Sequence, residues 1–141
     1  MGRCARLPAD SVAIPVLIER ETQAYLNRDA DAQATFWATH TDLSQRVSLE
    51  NGQVVAANGD HAALYRGLRT GFRQLTTPDP AQFTHHAYYI RGEAAFVTFR
   101  QVMQQPARPT VHSQQVRYLE RDGGAWTIVH SGVMYYQPMP E

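Results

Sequence analysis

The sequence predicts an α+β domain, with three helices in the first half, a short extended region between the second and third, and a long antiparallel sheet behind them. Two observations carry this prediction. The hydrophobic period changes once, from helical spacing to alternation after "TTPDP", and stays at two to the end. Turn signals at Asn51-Gly52, Arg91-Gly92-Glu93 and "RDGGA" separate runs rich in aromatic and β-branched residues.

From Val12 to Asn27, the residues Val12, Pro15, Val16, Ile18, Thr22, Tyr25 and Leu26 recur at helical spacing. An amphipathic helix is expected there after a Ser11 or Asp10 cap, with Pro15 in the first turn, where a missing N–H is tolerated. "NRDAD" breaks it, and Asp31 can cap a shorter helix, "AQATFWATH", with Phe36 and Trp37 as buried anchors. "DLSQRVSLENGQVVAANG" alternates around Asn51-Gly52 and reads as two short extended segments. Asp60 caps a third helix whose apolar stripe is Ala63, Leu64, Leu68, Phe72 and Leu75. Four long runs then form a meander: "FTHHAYYI", "AAFVTFRQVMQ", "TVHSQQVRYLE" and "AWTIVHSGVMYY". Three helices cannot hide both faces of such a sheet. Its outer face is therefore polar or covered by another chain.

Composition narrows the function classes. A chain of 141 residues fits one domain, expected over 11–141 behind a flexible stretch at 1–10. The formal net charge is zero and the basic residues are scattered, which disfavours nucleic acid and anionic membrane as partners. The single cysteine, Cys4, excludes an internal disulfide and a cysteine-rich zinc site. "MGRCARLPAD" lacks the apolar core of a secretory signal, and no run approaches a membrane span, so a soluble cytoplasmic domain is expected. Dinucleotide, phosphate-loop, zinc-protease and nucleophile-elbow patterns are missing, so neither a cofactor nor a metal is expected. Arg66, Arg69 and Arg73 share a face of the third helix, either as a solvated stripe or as a phosphate dock.

The element order, the "YLNRDADAQATFWA" passage and the closing "VRYLERDGGAWTIVHSG" resemble the SnoaL-like branch of the nuclear-transport-factor-like superfamily. The resemblance implies a cystatin-like α+β barrel. In that fold a strongly curved antiparallel sheet and three helices make a cone around a pocket, and the outer sheet face forms a homodimer. The last hairpin also resembles the association domain of calcium/calmodulin-dependent protein kinase, whose arginine matching Arg117 faces its cavity. Isomerases, dehydratases, cyclases, epoxide hydrolases and assembly modules share the fold, so it names no reaction by itself.

The chemistries that the resemblance implies can be set against these residues. Ketosteroid isomerases use a carboxylate base with tyrosine and carboxylic acid donors. Their base region here reads "THTDLSQR", where Gln45 falls nearest and Asp42 is the only carboxylate nearby. Glutamine cannot act as that base. The helix-one tyrosine is displaced too, with Thr22 nearest and Tyr25 almost one turn later. Epoxide hydrolases of the limonene type need an Asp-Arg-Asp relay, and scytalone dehydratases a His and an Asp, yet the meander has Glu120 only at a strand end, and Glu93 and Asp122 in turns. A histidine-centred proton transfer stays open, with His86 and His130 as the catalytic candidates.

Strand alternation sorts the remaining candidates. His85 and His86 point to opposite faces, so only one reaches the interior. Ser113, Gln115 and Arg117 share one face, which the resemblance marks as pocket-facing. Arg100 shares a face with Phe96 and Thr98 while Val97 and Phe99 lie opposite, so the strand reads as buried on both sides. A buried Arg100 then meets a ligand anion, or pairs with Glu93, Glu120 or a dimer mate. Ligand contacts are expected from Tyr25, Trp37, Tyr88, Arg100 and Arg117, although the aromatics serve equally well as core. Trp126 and Ile128 should share one face and Ser131 and Val133 the other, with His130 lining the pocket or the outer face. A bulge near Gly132 would change that assignment. Two functions follow. One is a cone binding a small apolar or acidic molecule, with cyclase or isomerase chemistry as its catalytic form; the other is a non-catalytic dimerisation module.

Overall fold

The computed structural model describes residues 10–41, 44–50, 52–72, 81–104 and 109–139. Cys4, Asp42, Arg73, Leu75 and the first nine residues of the expected flexible stretch lie outside the described residues, as do the side chains of Phe72 and His85.

Helix α1 spans Asp10–Leu26 and buries Ile18, Thr22 and Leu26 of the expected stripe, but its buried face is turned toward Ile14, Glu21 and Ala24. Val12 and Val16, expected on the stripe, are exposed because the helix lays the Ile14–Ile18 side on the sheet. It starts earlier than the sequence suggested. Asp10 is helical, and its carboxylate accepts hydrogen bonds from Arg121 at 2.7 Å and the Trp126 indole at 3.0 Å, tying the helix start to the far hairpin. Pro15 accordingly lies beyond the first turn and removes one helical hydrogen bond. Helix α2 covers only Ala30–Thr35, capped by Asp29, whose carboxylate accepts from the Ala32 amide at 3.0 Å. Asp31, the expected cap, instead accepts from the Tyr65 hydroxyl. Phe36 closes the helix in helical conformation, and Trp37 leaves it to bridge to Ile128, where it is fully buried. Helix α3, His61–Phe72, starts at Asp60, whose side chain accepts from the Ala63 amide at 2.9 Å; Leu64 and Leu68 are buried.

Among the described residues the strands are β1 (Ser44–Glu50), β2 (Gln53–Gly59), β3 (Ala81–Arg91), β4 (Ala94–Met103), β5 (Val111–Asp122) and β6 (Ala125–Tyr136), in the spatial order β2-β1-β6-β5-β4-β3. The expected turns join them, with Gly52, Gly92, Gly123 and Gly124 at positive φ, where a side chain would be strained. One pairing departs from the antiparallel expectation: β1 runs parallel to β6. The cause is local. Residues 36–38 already lie along β6, with the Ala38 amide on Ile128 O at 2.8 Å and the Ile128 amide on Phe36 O at 2.9 Å. The chain then continues in the same direction as β1.

A second departure sets the phase of the last strand. Tyr118 pairs with His130 and Leu119 with Ile128, so Val129 is unopposed and forms a bulge. The extra residue reverses alternation, and Trp126, Ile128 and Ser131 are all buried on one face. The expected opposition of Ile128 and Ser131 is thereby corrected. A similar shift between Thr84 and Ala87 in β3 turns His86 inward, where it stacks on Phe99 and Tyr88.

All three helices pack on one face. Ile14, Ile18, Trp37, Leu64 and Leu68 meet Ala95, Val97, Phe99, Leu119 and Ile128 in one core. The opposite face carries Val47, Leu49, Met134, Val116, Phe96 and Tyr89 on neighbouring strands. Phe96 is 47% exposed and Arg100 is also exposed, so β4 is buried on one face and not on both.

Candidate functional site

Strand register brings a set of polar residues onto the helix-covered face. One row across β1, β6, β5, β4 and β3 reads Arg46, Ser131, Arg117, Val97 and Tyr88. The next contains Val133, Gln115 and Phe99, and the one beyond it Tyr135, Ser113, Gln101 and Phe83. Leu119, Ala95 and Ile90 make the apolar end. The interior therefore grades from hydrocarbon near Trp37 and Ile128 to amides and hydroxyls toward Tyr135.

Arg117 is the centre of this arrangement and only 4% exposed. Its guanidinium lies over the Phe99 ring, 5.2 Å from the centroid, and donates to Gln115 Oε1 at 2.7 Å and Val116 O at 3.0 Å. Gln115 Nε2 donates onward to Gln101 Oε1 at 2.9 Å and Ser113 Oγ at 3.0 Å. The counter-charge is Glu21 of α1, 3% exposed, with Oε2 3.6 Å from Arg117 Nη2. Gln33 of α2 donates to Glu21 Oε1 at 2.5 Å, and Thr22 Oγ1 donates to Oε2 at 3.4 Å. Burial pushes the Arg117 guanidinium below its ordinary pKa, Glu21 opposes that, and the like charge of Arg46 adds to it.

Several buried polar atoms in this region have no hydrogen-bond partner: Arg117 Nε, Gln33 Oε1, Ser44 Oγ, Trp37 Nε1 and His86 Nε2. Each such atom costs about 1–3 kcal/mol. Unsatisfied buried groups in a native fold call for an explanation, of which a missing partner molecule is one.

The sequence-derived candidates separate cleanly. Arg117, Tyr88 and His86 share the interior face, Trp37 lies in its core, and Tyr25 sits beneath the Arg46 guanidinium at 5.0 Å. Burial, then the charge of Glu19, raises the Tyr88 pKa. Arg100 and His130 are elsewhere. Arg100 is on the outer face beside Gln114, 3.4 Å from its Oε1, because a β4 side chain alternates with the buried Phe99 and Gln101. His130 is on the outer face in a row with Gln45, Tyr118, Phe96 and Tyr89, and its Nδ1 meets Gln45 Oε1 at 2.7 Å.

Sequence reasoning missed Glu21, Gln33 and Arg46. Glu21 was findable. It lies three residues after Ile18 and seven after Ile14, an acid on the apolar stripe of its helix. Chemically, the site offers a buried cation, its carboxylate, a chain of amides and aromatic walls. That combination grips and orients an oxygen-bearing group, while the carboxylate is already engaged by three neighbours.

No family model matches the chain, and no curated protein sequence does. Solved structures do. A Nostoc punctiforme protein of unknown function with a cystatin-like fold superposes with a TM-score of 0.73 at 9% identity, over 97% of this chain and 98% of its own. An NTF2-like protein of unknown function from Pseudomonas putida gives 0.70 at 19% identity, over 96% and 92%. A ketosteroid isomerase-like protein from Erwinia carotovora atroseptica gives 0.67 at 15% identity, over 94% and 100%. At such identities the likeness concerns architecture, and the architecture of this chain is a cystatin-like, NTF2-like fold.

Proposed function

We propose that this protein is a SnoaL-like small-molecule-binding domain, holding a largely apolar ligand inside the cone with its polar end at Arg117. The observation that carries the reading is the Arg117 cluster itself. A guanidinium taken out of water, with one buried nitrogen unpartnered and its carboxylate outside hydrogen-bond range, is an expensive way to fill a core. The aromatic walls supplied by Phe99, Tyr88 and His86 suit the body of such a ligand. Thermal denaturation against small acids, aromatic ketones and steroid-like compounds tests it. Ligand at a hundredfold excess over its Kd stabilises the fold by about 2.7 kcal/mol, and Arg117→Lys should remove that gain. A panel without a hit, or hits that Arg117→Lys leaves intact, would refute the reading.

A catalytic version, cyclase- or isomerase-like, is favoured by one observation, the unpartnered Nε2 of His86 against the Phe99 ring. His86→Gln should abolish turnover of a bound compound while leaving its binding intact. Homodimerisation belongs to the same proposal. The outer face presents Phe96, Tyr89, Met134 and Leu49 to solvent, and a chain of zero net charge meets no global repulsion from a second copy.

A further inference from the structure

We infer that the interior site selects a monoanionic ligand, a carboxylate on a planar conjugated body, over the neutral amide of the same shape. The inference rests on the proposed binding reading and adds the charge and class of the ligand. It begins with the register: Arg46 and Arg117 lie in one row with only Ser131 between them. Neighbouring strands are about 4.8 Å apart, so the two backbones stand about 10 Å apart and both side chains rise from the same face. Ser131 is buried between them.

Against these two cations stands one buried carboxylate among the described residues, Glu21. Glu19, the next acid on α1, is exposed. Among the described residues this row thus carries an excess of one positive charge, with Arg117 buried and Arg46 half-buried at its side. Nor does Glu21 saturate Arg117. Charge-assisted hydrogen bonds run about 2.7–2.9 Å, whereas Glu21 stands at 3.6 Å, and Arg117 Nε is buried without a partner. Glu21 is itself drawn toward α2 by the Gln33 amide. One further carboxylate balances the row, completes the Arg117 donors and leaves Glu21 with Gln33 and Thr22. The shape of its body follows from the walls. His86 and Tyr88 are near parallel, 3° apart with centroids 6.0 Å apart, and His86 is 21° from Phe99 at 5.6 Å, which suits a flat π system rather than a bulky aliphatic one.

The test is isothermal titration calorimetry of the full chain with cinnamate and with cinnamamide, which share a planar body and differ in charge. Cinnamate should bind at least about tenfold more tightly. Arg46→Gln should remove most of that preference by weakening cinnamate far more than cinnamamide, and Glu21→Gln should widen it. Equal binding of the two compounds, or a preference that survives Arg46→Gln, would overturn the inference while the interior-binding reading stands. If neither compound nor any compound of the wider panel binds, the binding reading itself falls and takes this one with it.

Discussion

Removing the positive partner of the buried pair is the sharpest test of how the interior is built. Arg117→Met keeps the apolar stem over Phe99 but leaves the Glu21 carboxylate, 3% exposed, with Gln33 and Thr22 alone. Breaking a buried pair from one side costs about 3–5 kcal/mol, since the surviving charge is uncompensated. The two remaining hydrogen bonds place this case at the lower end, about 3 kcal/mol. A chain of 141 residues has an unfolding entropy of about 0.3 kcal/mol/K, so Tm should fall by about 10 °C. Replacing both partners, Glu21→Leu with Arg117→Met, removes the uncompensated charge and should return stability to within about 1 kcal/mol of the parent. Urea unfolding followed by circular dichroism reads all four corners of the cycle. If the single Arg117→Met change costs less than about 1 kcal/mol, or the double change costs as much as the singles together, the pair is not coupled as the geometry requires.

His130 gives a pH prediction. Burial, and secondarily the Arg117 charge, lower its folded-state pKa, so protonation favours the unfolded chain; its contribution to stability is present above about pH 6.5, the ordinary histidine value, and is lost as pH falls through the folded pKa. His130→Gln should therefore flatten the acid limb of a stability-versus-pH curve, and an unchanged limb would contradict the assignment. Trp37→Ala, at a side chain 1% exposed in the core, should cost about 3–5 kcal/mol in denaturant unfolding. Phe96→Glu, on the exposed outer face, should leave Tm within a few degrees and convert the proposed dimer to monomer in sedimentation velocity; a parent that is already monomeric, or a dimer that survives the change, would refute the outer-face interface.

Much of this fold was legible because its signals are local. The helical period of α1, the Asp60 cap, the glycine turns and the period-two runs need only neighbours in sequence to be read, whereas which side of α1 is buried depends on the sheet beneath it and left Val12 and Val16 outside. The site was legible where alternation is undisturbed: β5 keeps its phase, so Ser113, Gln115 and Arg117 were correctly grouped. It failed where one residue is added. Val129 carries no composition signal of a bulge, yet it reverses every face assignment after it and puts Ser131 beside Arg117. Arg100 was misplaced for a different reason. Apolar residues on both sides of β4 suggested burial on both sides, but Phe96 and Thr98 are outer-face residues with no helix over them. Glu21 shows in the sequence only as an acid on the apolar side of a helix, and nothing local marks Arg117, across on the sheet, as its partner.

The parallel alignment of β1 with β6 also has a consequence for how the chain comes off the ribosome. The hairpin of β1 and β2 is made early, but β6, the strand that templates β1, is the last of the described strands and follows some 80 residues later. Until then, Leu49 and Val54 sit on a two-stranded ribbon with an open edge, which is marginal alone and prone to pairing with other chains. Synthesis thus has a long vulnerable interval that closes only when β6 docks. Premature termination within β5 should yield aggregates rather than a truncated fold, and slow elongation through the meander should lower the soluble yield more than slow elongation before it.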